Sequence, residues 1–103
     1  MNSPLPARLR SARKAANLTQ QELGIRIGMD PNTASARINQ YEKDRHSPGI
    51  QTAKRLAEEL GVPLPYLFCE DDLLAELICK IDKMSQADKK ALLKTLAEQC
   101  SKE

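Results

Sequence analysis

Residues 18–28 read LTQQELGIRIG, and this stretch decides the fold. Thr19 followed three residues on by Glu22 is a capping box, in which hydroxyl and carboxylate each satisfy the other's backbone N–H at a helix start. The spacing predicts a second helix of about nine residues with Leu23, Gly24 and Ile27 on its buried side. Gly28 closes it, because glycine takes the left-handed conformation that ends a helix, and Gly24 leaves room for a neighbouring helix to come close. Met29 then fills a tight turn. Asp30-Pro31 has the form of an N-cap followed by a proline at N1, opening a third helix through about Glu42 with Ala34, Ile38 and Tyr41 inward.

Helical spacing continues on both sides. Pro4 and Pro6 mark an irregular arm, and from Ala7 the positions Leu9, Ala12, Ala15 and Ala16 give a first helix that Asn17 stops. After the charged loop KDRHSPG, residues Ile50, Ala53, Leu56, Ala57 and Leu60 form a fourth amphipathic helix closed by Gly61. Pro65 fits the first turn of a short fifth helix that turns Leu67 and Phe68 onto the core. Glu70, Asp71 and Asp72 suit the positive start of a sixth helix with the stripe Leu73, Leu74, Leu77, Ile78, Ile81 and Met84. Ser85 with Asp88 starts a seventh, where Leu92, Leu93, Leu96, Ala97 and Cys100 keep the period. The expectation is an all-α fold: five helices in residues 1–69, then a helical hairpin in residues 70–103. Composition agrees, since only 3% of the 103 residues are aromatic and helix formers dominate.

Several function classes fall away. No run of eighteen apolar residues could span a membrane, and the start MNSPLPARLR lacks the apolar segment of a secretory signal, so a cytoplasmic protein without membrane contact is expected. Cys69, Cys79 and Cys100 are then reduced thiols. With no CxxC and a single His46 far from all three, no metal site is expected. A lone histidine without a nucleophile or orienting partner gives no catalytic constellation, so the reading is a non-enzyme without cofactors. Charge is uneven: residues 1–61 carry ten Lys and Arg against six acids, residues 62–103 six against eight. A basic first part and an acidic second part point to an anionic partner for the first and a different role for the second.

The order helix, short helix, glycine turn, helix is the sequence form of a helix-turn-helix unit, which lays its second element in the major groove of DNA. From Leu9 to Phe68 the chain resembles the lambda-repressor-like domain of the Cro/C1 (XRE) family. The resemblance is carried by LTQQELG at helix 2, IGM at the turn, YEKDRHSP after helix 3, and TAKRLAEELGVPLPYLF at the end. It implies that Gln20 meets a DNA phosphate and that Arg13 pairs with Glu42 to fix the recognition helix. It also implies that Lys43, Arg45, His46 and Ser47 lie along the DNA backbone.

One departure bears on specificity. The resemblance puts about four more residues than is usual between the turn glycine and Glu42, one helical turn or about 6 Å. Anchoring on Asp30-Pro31 makes Asn32 and Thr33 the readers of bases, whereas anchoring on Tyr41-Glu42 makes them Ser35, Ala36 and Gln40. The inward stripe favours a helix lengthened at its start over a bulged loop, with Arg37 and Gln40 central on the outward face. Arg37, Asn39 and Gln40 have the chemistry for guanine and adenine edges, and Arg37 can alternatively clamp a phosphate. The leucine-rich faces of helices 6 and 7 (Leu73, Leu74, Leu77, Ile78, Ile81, Leu92, Leu93, Leu96) lie beyond the resemblance and either cap the domain or pair with a second copy; pairing is favoured. The expectation is thus a homodimeric repressor that binds an inverted repeat in double-stranded DNA. The alternative is an interaction module, such as an antitoxin or adaptor, whose hairpin holds a protein partner.

Overall fold

The computed structural model describes residues 3–101, and among them it is built of seven helices with no strand: α1 (Leu5–Ala15), α2 (Gln20–Arg26), α3 (Ala34–Glu42), α4 (Ile50–Leu60), α5 (Leu64–Phe68), α6 (Asp72–Asp82) and α7 (Gln86–Ser101). The all-α expectation holds. Each of the first five helices sends one large side chain into full burial: Leu9, Leu23, Ile38, Leu56 and Leu67. The core cluster lies wholly between Leu5 and Leu67, so α1–α5 close on one another without help from the C-terminal helices.

Several local expectations need correcting. α1 starts at Leu5 rather than Ala7: Pro6 sits in its first turn, where a missing N–H costs nothing, the Ser3 hydroxyl accepts from the Leu5 N–H, and Leu5 joins the core. α2 stops at Arg26, one residue before Ile27, which is only half-buried. Ala15, Ala16 and Ile50 face solvent, as does Phe68, which is 45% exposed because α5 ends there and Leu67 takes the inward position.

The largest correction concerns α3, which begins at Ala34 and not at Pro31. Asp30 still organises the start, but as a turn. Its carboxylate accepts from the Asn32 N–H at 2.7 Å, and its carbonyl accepts from the N–H groups of Thr33 (3.0 Å) and Ala34 (2.9 Å). The extra residues are thus spent in a tight turn ahead of the helix, and α3 is nine residues long. Ala34, Ile38 and Tyr41 are its buried stripe, as their spacing predicts.

The α2–α3 turn shows why its glycines are there. Gly28 has φ +95°, with the Met29 N–H on the Gly24 carbonyl (2.9 Å) and the Gly28 N–H on the Ile25 carbonyl (3.0 Å), the paired closure of a left-handed helix end. Gly24 is required for space instead, since a Cβ there would stand 2.6 Å from the Ala34 Cβ. Gly24→Ala is therefore expected to destabilise by about 1–3 kcal/mol, the usual cost of overpacking. Adding Ala34→Gly should restore part of that loss in urea unfolding, and a single variant as stable as wild type would contradict the close approach.

α6 and α7 sit apart from this core. α6 packs on α5 and buries Ala75, while α7 enters none of the extensive helix–helix packings. Extents of 55 × 31 × 22 Å and a radius of gyration of 16.1 Å, against about 13 Å for a compact chain of this length, follow from that projection. No described helix is long and apolar enough to cross a membrane.

Candidate nucleic-acid interface

The capping box expected at Thr19 is present. The Thr19 hydroxyl accepts from the Glu22 N–H at 3.0 Å and the Glu22 carboxylate accepts from the Thr19 N–H at 2.9 Å, which holds the Glu22 carboxyl below its ordinary range. This fixes the start of α2 and presents Gln20 at its first position.

Gln20 faces α3. Its Nε2 donates to Asn39 Oδ1 and to Glu42 Oε1, both at 3.2 Å, and its Oε1 receives the Ser35 hydroxyl at 3.5 Å. Glu42 is the hub of this cluster. Arg13 grips it with two bonds, Nε to Oε2 at 2.7 Å and Nη2 to Oε1 at 3.1 Å, and uses its remaining nitrogen on the Leu18 carbonyl at 2.9 Å. The side chains of Arg13 and Glu42 are 12% and 3% exposed, so the pair is largely out of water. A two-pronged guanidinium–carboxylate contact restricts rotation as well as distance, so α1, α2 and α3 are held as one body.

The helix end after α3 is equally fixed. Asp44 takes φ +59°, the Arg45 N–H bonds the Gln40 carbonyl at 2.9 Å, and the Asp44 N–H bonds Tyr41 O at 3.3 Å. This closure carries the chain through Lys43, Arg45 and His46, all exposed, along the surface beside α3. Arg37, Gln40, Tyr41, His46 and Ser47 line one open recess of about 320 Å³, which places loop and helix on a common face.

Around α3 at 100° per residue, Ala36 and Lys43 lie opposite the buried stripe, with Asn39 and Gln40, both half-buried, on either side of them. Asn32 and Thr33 are exposed in the turn just ahead. Ser35 and Asn39 stand on the flank toward Gln20, where Asn39 is half-buried. Arg37 is exposed on the opposite flank, lining the His46 recess and also a smaller one with Gly28, Met29, Thr52 and Arg55. It is thus displaced from the centre that it was expected to share with Gln40. Two participants were not singled out from sequence. Arg10 joins Gln20, Asn39 and Lys43 around a small recess, and its i, i+3 spacing to Arg13 was the available signal. Asp44 carries the positive φ, which Asp tolerates but does not announce.

A short helix locked by a polar network across a glycine turn onto a second helix, whose outer face is polar and edged by cations, defines a helix-turn-helix DNA-binding protein. The comparisons with known proteins agree. A family described as helix-turn-helix matches residues 9–67. The chain is 31% identical over 91 residues to the cryptic phage CTXphi transcriptional repressor RstR of Vibrio cholerae, covering 84% of this chain and 78% of that one. It is 42% identical over 53 residues to an uncharacterised HTH-type transcriptional regulator of Methanothermobacter thermautotrophicus, covering 52% and 71%. Among solved structures, the transcriptional regulator BswR superposes with a TM-score of 0.86 at 46% identity, over 91% of this chain and 93% of that one. The chain belongs to the Cro/C1-type (XRE) helix-turn-helix family of DNA-binding transcriptional regulators. Among the described residues no group of three or more His, Cys, Asp or Glu side chains could hold a metal ion.

Proposed function

We infer that this protein is a cytoplasmic, cofactor-free transcriptional repressor that binds an inverted repeat in double-stranded DNA as a homodimer, with residues 1–69 as the DNA-binding domain and residues 70–103 as the pairing element. The observation that carries the reading is the Gln20–Asn39–Glu42–Arg13 network, which fixes α2 and α3 as one rigid unit with Ala36 and Lys43 outermost and Gln40 beside them. Gln40 reads a base edge, Ala36 offers a methyl to thymine, and Asn32, Thr33, Ser35 and Asn39 border the contact. Gln20 meets a phosphate through the backbone N–H at the start of α2, and Lys43, Arg45, His46 and Ser47 meet phosphates after α3, with Arg10 beside them and Arg37 on the α4 side. Two such units about 34 Å apart fit successive major grooves. That the Vibrio cholerae relative is a repressor supports repression over activation.

Selection of bound sequences from random DNA tests the reading directly, and a palindromic consensus is the expected outcome. Gln40→Ala should cost about 1–3 kcal/mol on the selected site and much less on random DNA. Arg37→Ala should weaken both alike, as a phosphate clamp does; a loss confined to the selected site would make Arg37 a reader of bases.

Replacing Lys43 and Arg45 together by Ala should weaken binding to all sequences and reduce the slope of log affinity against log salt by about two, one for each phosphate no longer neutralised. An unchanged slope would take both residues out of the interface. A second reading, an antitoxin or adaptor with a protein partner, draws on the exposed leucines of α6 and α7. Stoichiometric co-purification of an unrelated small protein would favour it.

A further inference from the structure

The geometry points to a binding site for a small amphipathic organic anion in the cleft where α6 meets α1 and α5. The cleft has a volume of about 360 Å³, and Arg8, Lys80 and Lys83 stand around it with the Tyr66 ring, Ala75 and Cys79. Tyr66, Cys79 and Lys83 also line an adjoining recess of about 310 Å³ whose walls are mostly apolar, from Ala12, Ala15, Leu60 and Val62. Together the two have the size and make-up of a small-molecule site: apolar walls, a few converging polar groups, and a position at a junction between structural units.

The polar end is held ready by Arg8. Its side chain is 15% exposed, its Nε donates to the Cys69 carbonyl at 3.0 Å, and its guanidinium lies 5.5 Å over the Tyr66 ring. Its remaining partner is Asp72, at 2.8 Å, whose side chain is 94% exposed. A carboxylate so fully solvated gives up the contact at little cost, so Asp72 occupies the place of an exchangeable anion. Lys80, in the last turn of α6, and Lys83, its C-cap, stand on one side three residues apart, and neither has an ion-pair partner among the described residues. The Cys79 thiol lies in the field of these cations: burial, with the Asp82 carboxylate, raises its pKa overall, against the downward pull of Lys83, Lys80 and Arg8.

A ligand whose carboxylate or phosphate replaces Asp72 on Arg8 would meet three cations, opposed by Glu76 in the lining and by Asp82 beside Cys79 once Asp72 has turned to solvent. Its apolar body would extend past Tyr66 toward Leu60 and Val62. Head and body are both required, since a bare anion leaves the apolar recess unfilled and a neutral chain leaves the cations unmatched. The cleft joins the five-helix domain to the projecting helices, so occupancy would change how α6 and α7 are carried. That effector role, unlike binding itself, rests on the DNA-binding reading above.

The test is an NMR titration of the full chain, without DNA, by octanoate, with acetate and octanol as the head-only and chain-only controls. Octanoate up to about 10 mM should give saturable shifts at Tyr66, Ala75 and Cys79, because millimolar Kd values saturate in that range. Acetate and octanol should bind at least about tenfold more weakly, a difference of roughly 1.4 kcal/mol. Lys80→Gln with Lys83→Gln should weaken octanoate by a similar factor, and Asp72→Asn, which removes the competing carboxylate, should strengthen it. No saturable shift at these residues, or affinity indifferent to both variants, would overturn the site. In a second arm, operator affinity should change with octanoate for the wild type and not for the lysine double variant. Binding without that change would overturn the effector role, whereas failure of all DNA binding would instead count against the functional reading.

Discussion

Glu42→Ala is expected to destabilise the protein by about 3–5 kcal/mol, and Arg13→Ala by a similar amount, because each strands the opposite charge in a nearly dry site. Without Glu42, the Arg13 guanidinium keeps only the Leu18 carbonyl; without Arg13, a carboxylate 3% exposed keeps only the Gln20 amide. A double replacement by apolar residues of similar volume, Arg13→Met with Glu42→Leu, should recover much of the loss, since it removes both desolvation costs together. Urea unfolding of the four proteins measures this. Single variants within about 0.5 kcal/mol of wild type, the range of ordinary surface changes, would mean that the pair contributes nothing. The effect should reach function as well, because Glu42 also holds Gln20, and Gln20 holds Asn39.

The second large effect concerns assembly. Leu93 is 69% exposed and Leu96 45%, on a sixteen-residue helix that makes no extensive packing with another helix of its own chain. On the functional reading proposed above, this face of α7 meets its copy in a second chain. Leu73, Leu74 and Leu77 of α6 add to the exposed apolar area, well beyond the isolated leucines normal for a monomer. Replacing Leu93 and Leu96 together by Asp is expected to leave the five-helix core intact, since neither belongs to it. The same change should turn a sedimenting dimer into a monomer and lower operator affinity by about 10²–10⁴-fold, the gain that linking two half-sites gives. A variant that remains dimeric would move the interface into the DNA-binding domain.

The N-terminal fold was legible because its determinants are local. The capping box at Thr19, the left-handed Gly28 and Gly61, and the stripe Ala34–Ile38–Tyr41 each depend on a few neighbouring residues, and each is found where its spacing puts it. Gly24 was legible for the same reason, although the 2.6 Å that explains it is a distance between helices. The start of α3 was misread because Asp30-Pro31 begins a tight turn and a helix with the same chemistry. In the structure Asp30 closes a turn, its carboxylate taking the Asn32 N–H and its carbonyl those of Thr33 and Ala34, and the helix starts after it.

What the sequence determined by itself, then, is the order of the first five helices, the central positions of their inward faces and the helix-turn-helix class, because periodicity, caps and glycine turns act within a few residues. Only the tertiary structure decided that Gln20 is tied to Asn39 and Glu42, that Arg37 sits on a flank, that Arg8 bridges to Asp72, and that α7 stands away from the body. Those outcomes join residues up to 64 positions apart, Arg8 and Asp72 being the extreme, and a side chain's partner across such a gap is set by how helices pack rather than by its neighbours in the chain.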